Sequence, residues 1–134
     1  MATDASETGE GNRLQVLTAL GIGAVIALVG ILGFILVPVE GRLFGIFGVN
    51  TLHNAVHFLT GVAGLAAGYF AVGAFSGDYN RYGGLAYLLL AALWLVVPAF
   101  LNQLLNIGLA DTLLHVGLGL VLAVVGFGVA DRFD

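Results

Sequence analysis

Uncharged stretches dominate this chain. Between Arg13 and Asp131 the only charged residues are Glu40, Arg42, Asp78, Arg81 and Asp111, which separate uncharged runs at 14–39, 43–77, 82–110 and 112–130. Each run is about as long as the 17–25 residues that cross a bilayer as a helix. The first helix is expected over about 14–37, stopped by Pro38 and the Glu40-Gly41-Arg42 loop. The second starts at Asn50 or Thr51, where Asn can cap free backbone N–H groups, and ends before Ser76-Gly77-Asp78. The third covers about 82–101 with a kink or stop at Pro98, and the fourth runs from the Asp111-Thr112 cap to about 130. Residues 44–47 read as an interfacial or re-entrant turn, and no strands are expected.

The pattern predicts an all-α, four-helix transmembrane bundle. Its domain would cover 14–131, preceded by an acidic, disordered tail at 1–13 that carries Asp4, Glu7 and Glu10. The first run has no basic flank and outlasts a signal-peptide core, so it reads as a retained span. Four spans place both termini on one side of a cell membrane. Arg13, Arg81 and Arg132 then share that side and Arg42 stands on the other, which favours cytoplasmic termini.

Composition narrows the function. Of the 134 residues 60% are hydrophobic and 9% charged, against about 25% charged in a soluble domain. Four arginines and no lysine cannot form a phosphate-binding surface, so nucleic acid is excluded as a partner. Without cysteine there is no disulfide, thiolate metal site, iron–sulfur cluster or c-type haem. A formal charge of −4 with an acidic tail fits a halophilic protein, or simply a solvated tail. Most of the 21 glycines, including Gly64-x3-Gly68, fit close helix packing or association with a second copy or another membrane protein.

The second and fourth helices share a motif. His53-x3-His57 is followed by Gly61 and Gly68, and Asp111-x3-His115 by Gly119 and Gly126. Each copy follows a helix that ends near a proline, Pro38 or Pro98. Two tandem two-helix hairpins, about 14–76 and 81–131, explain the pattern, and a pseudo-twofold along the membrane normal puts His57 and His115 at matching depth.

Spacing of i,i+4 puts each pair on one helix face, and intramembrane ionisable groups turn inward. His53, His57, Asp111 and His115 are thus a candidate three-nitrogen, one-oxygen site for Zn, Mn, Fe or Cu, with Asn50, Asn54 and Asn106 as supporting hydrogen-bond partners. Three other readings stay open: polar contacts in a structural or partner-binding subunit, haem b held between His57 and His115, and ion conduction. No nucleophile–base pair, phosphate loop or dinucleotide fingerprint stands out, so nothing marks the chain as an enzyme.

With these residues in view, the chain resembles a small four-span membrane family, a domain of unknown function found in halophilic archaea and several bacteria. The likeness covers nearly everything after the acidic tail and centres on the doubled His/Asp-x3-His motif. That family keeps an Asn three residues before the Asp of the second copy, whereas Asn106 here precedes Asp111 by five. The resemblance implies a four-span fold and membrane residence, and no activity or cofactor.

Overall fold

A computed structural model describes residues 2–129. Its elements are α1 (Ala2–Leu36), β1 (Glu40–Leu43), β2 (Phe47–Asn50), α2 (Thr51–Tyr69), α3 (Ser76–Val96), α4 (Pro98–Leu105) and α5 (Leu109–Gly128). The segments Asn12–Leu36, Thr51–Gly73 and Leu109–Gly128 are long and apolar enough to cross a membrane. The pair α3 and α4, bent by 120°, counts as a fourth candidate. The chain is therefore a multi-pass, mainly helical membrane protein. Gln15 Nε2 donates to the carbonyl of Val129 at 2.8 Å, so the start of the first span and the end of the last lie side by side.

Several expected boundaries move. Residues 2–13, expected as a disordered tail, belong to α1, whose sequence holds no proline to interrupt it. The second helix ends at Tyr69, followed by a 3-10 turn at Phe70–Gly73 in which Ala71 and Val72 adopt left-handed backbone angles. That reversal lets α3 start at Ser76, six residues before the expected helix and ahead of the second hairpin's expected boundary at 81. Asp78 falls in its first turn, where the helix dipole favours a carboxylate. Pro98 does not kink a long third helix. It occupies the first turn of α4, where its missing N–H costs nothing, and the preceding Val97 leaves the helical conformation, at φ −131° and ψ 55°, so that α3 ends there.

The expectation of no strands is also corrected. Antiparallel β1 and β2 pair Glu40 with Asn50 and Leu43 with Phe47, so the turn is Phe44-Gly45-Ile46. Phe44 and Gly45 are both left-handed at φ 55° and 73°. Strands of four residues are too short for period-two alternation to separate them from an apolar helix segment. Tertiary contacts decide the outcome. Leu43 and Val49 are buried, and Asn106 Nδ2 donates to the carbonyls of Gly41 at 2.9 Å and Val49 at 3.1 Å.

Helix α1 packs chiefly on α2, and α3 on α5. Glycine permits both approaches. A Cβ on Gly23 would lie 2.8 Å from the Leu65 nitrogen, and one on Gly84 would lie 2.5 Å from the Ala123 nitrogen. Most glycine faces expected to serve association are thus consumed inside the chain, although Gly21, Gly117 and Gly128 face open space. A neighbouring pair tests this packing. Gly84→Ala should destabilise the bundle by about 1–3 kcal/mol through overpacking against backbone. Gly83→Ala, whose Cβ would meet only Leu122 Cδ1 at 3.5 Å, should leave thermal unfolding in detergent almost unchanged.

Candidate metal centre

Asn50 begins the site. It caps α2 by accepting from the His53 backbone N–H at 2.9 Å, and its Nδ2 donates to the Leu104 carbonyl at 3.0 Å. His57 is the seventh residue of α2 and His115 the seventh of α5, both about 9 Å along their helices at 1.5 Å per residue. The helix starts therefore set a common depth for the two side chains.

The three imidazoles meet. Ring centroids are 4.3 Å apart for His53 and His57, 5.9 Å for His53 and His115, and 6.1 Å for His57 and His115. One candidate ligand nitrogen from each ring lies within 4.8 Å of the other two. All three residues are buried, with His53 and His115 each 2% exposed. His53 Nε2, His57 Nδ1 and His115 Nδ1 have no hydrogen-bond partner among the described residues. Buried polar atoms are normally partnered, so three such orphans in one cluster call for an explanation.

The ring of His53 is oriented through its other nitrogen. Nδ1 lies 3.0 Å from the Gly48 carbonyl, which only accepts, so Nδ1 carries the proton and Nε2 is left as a lone-pair donor. Metal-bound histidines are characteristically held in this way. Tyr87 flanks the cluster, its ring 5.3 Å from that of His115.

Asp111 stands apart from the ligand group. Its Oδ2 accepts from the backbone N–H of Gly48 at 3.1 Å and of Gly108 at 2.9 Å, so it closes the N-terminus of α5 and anchors the hairpin to it. The carboxylate is buried and close enough to His53 to act on it through charge. The asparagines expected to support imidazoles have other partners. Asn54 Nδ2 donates to the Val37 carbonyl at 3.1 Å, Asn106 holds the hairpin, and Asn50 acts on His53 through backbone alone.

The geometry also bears on haem. With sides of 4.3, 5.9 and 6.1 Å, the triangle sets His53 beside the midpoint between His57 and His115, inside the area a macrocycle would cover. Axial ligation by that pair is blocked as the rings stand.

Sequence reasoning missed a second polar layer at the opposite end. Gln15, Ser76 and Asn80 are fully buried there. Gln15 Nε2 reaches the Val125 carbonyl at 3.0 Å, Asn80 Nδ2 reaches Gln15 Oε1 at 2.8 Å, and Ser76 Oγ reaches the Ala67 carbonyl at 3.3 Å. An isolated Gln inside an uncharged run was the available signal, because lipid would leave its amide unpaired.

A model of the family described as Domain of unknown function (DUF4383) matches residues 16–128, and the chain belongs to that family. No curated protein and no solved structure matches it.

Proposed function

We propose that this DUF4383 member holds one divalent transition-metal ion on His53, His57 and His115, within a membrane bundle of two tandem hairpins. The observation that carries this reading is the convergence of three buried imidazoles, each with an unpartnered nitrogen, from two different helices. Bonds of about 2.0–2.1 Å to a tetrahedral zinc ion imply nitrogens roughly 3.3 Å apart, so the cluster need contract only slightly to bind. Three protein ligands leave a fourth position open, as in sites where a metal meets water or substrate. Asp111 serves as the nearby counter-charge, offsetting part of the ion's charge and the positive end of α5. The arginine distribution places the hairpin and the histidines toward the outer face.

Packing supports the repeat. Gly23 meets Leu65 as Gly84 meets Ala123, Gly61 meets Ala27 as Gly119 meets Leu88, and Gly68 meets Leu20 as Gly126 meets Arg81. One constant shift along the chain relates the first-helix members of these pairs, and another relates the second-helix members. The same two shifts carry Ser76 and Ala67 onto Gln15 and Val125, which form the matching hydrogen bonds between hairpins.

Metal analysis of untagged protein in mild detergent, after incubation with zinc, manganese, ferrous or cupric ions and desalting, tests the site. About one equivalent of an ion is expected in the wild type, with loss in His57→Ala and His115→Ala. Wild-type protein that retains none of the four would overturn the reading.

A further inference from the structure

The hairpins meet through α1 and α3 and along two flanking seams, α2 against α3 and α1 against α5, which differ in volume. A cavity of ≈ 340 Å³ opens at the α2/α3 seam, lined in part by His53, His57, His115 and Tyr87. The α1/α5 seam keeps only ≈ 60 Å³, although His57, Tyr87 and His115 border it too. Where the open seam has Thr60 and Ala86, the repeat shifts place the larger Leu118 and Val25 in the closed one, while Tyr79, Tyr82 and Tyr87 of the open seam match the smaller Thr18, Gly21 and Ile26. Close packing is the rule in protein interiors, and a seam left hollow beside three buried imidazoles departs from it. Its volume lies in the range of ligand pockets.

The polar atoms specify what would fit. His53 and His115, almost fully buried, line the cavity and carry unpartnered nitrogens. Its remaining walls are aliphatic, tyrosyl and threonyl, with no charged side chain to receive a carboxylate or ammonium group. Val56, Thr60 and Ala86 on its rim are exposed along apolar spans, so the mouth opens sideways toward lipid.

We propose that the α2/α3 cavity binds a neutral, lipid-soluble molecule bearing a carbonyl on an apolar ring, the chemistry of a quinone. The ring fills the space left by Gly83 and Ala86. The carbonyl oxygen accepts from the Nδ1–H of His115. This inference takes the paired hairpins from the reading above and does not require the metal.

Trp94 is the only tryptophan and lies one turn beyond Leu90, which lines the cavity. It can report binding when 1,4-naphthoquinone is titrated into the detergent-solubilised protein. Saturable quenching is expected, with affinity about tenfold weaker in Ala86→Val and Gly83→Ile, which install the residues of the closed seam. Val25→Ala at the other seam should leave it unchanged, and naphthalene, which lacks the carbonyls, should relieve the quenching with an affinity about tenfold weaker than that of the quinone. Quenching that never saturates, or that is equal in Ala86→Val and wild type, would overturn the proposal, as would equal competition by naphthalene. Ala86→Val carries the test if Gly83→Ile fails to fold. Running each titration on chelator-treated and zinc-loaded protein separates this result from that of the metal reading.

Discussion

Saturating zinc should raise the thermal midpoint of the wild-type protein and leave that of His57→Ala and His115→Ala unmoved. A ligand that binds only the folded state stabilises it by about 4 kcal/mol at a thousand times its Kd, a shift on the order of 10 °C for a chain of this size. The metal-free comparison separates this from a purely structural role. Among the described residues no hydrogen bond joins two of the histidines, so His57→Ala in chelator should cost no more than a polar contact in a bundle, about 1 kcal/mol or less. An unfolding scan of the wild type that shows no shift with zinc, manganese, ferrous or cupric ions, or an equal shift in the alanine variants, would refute the site.

Replacement of Asp111 should produce the largest loss of stability that is independent of metal. Its Oδ2 takes two backbone N–H groups, from Gly48 on β2 and Gly108 before α5, and hydrogen bonds to charged acceptors contribute about 1.5–3 kcal/mol each. Asp111→Ala leaves both donors unpaired and should destabilise the protein by about 3 kcal/mol, read from denaturant or thermal unfolding. Zinc affinity separates its two candidate roles. Loss of a counter-charge should weaken binding by about tenfold, in the range typical of outer-shell partners, while loss of a direct ligand should abolish it. Unchanged stability would show that the hairpin is held by Asn106 and Asn50 alone.

The sequence and the structure agree on much of the site. The i,i+4 spacing put His53 and His57 on one face, and the structure brings both within reach of His115, because helix periodicity converts spacing directly into direction. Asp111 was misplaced for a reason that periodicity cannot reveal. It aligns with His53 in the motif, yet it stands in the first turn of α5, where nearby backbone donors compete for a carboxylate. Asn106 was read as an imidazole partner because the hairpin it holds was not foreseen. The closeness of Tyr87 to His115 has no local signal in the sequence, since it depends on how α3 packs against α5.

Charge distribution alone determined that the chain spans a membrane several times, because each uncharged run is long enough to cross and ionisable groups are costly in hydrocarbon. The doubled motif alone determined which histidines belong together. Only the tertiary structure decided that Glu40–Leu43 and Phe47–Asn50 form strands, and that the carboxylate turns toward backbone N–H groups rather than the imidazoles. It also decided that the α2/α3 seam stays open while the α1/α5 seam closes. These outcomes depend on contacts between residues far apart in the chain, and no local pattern of polar and apolar positions encodes them.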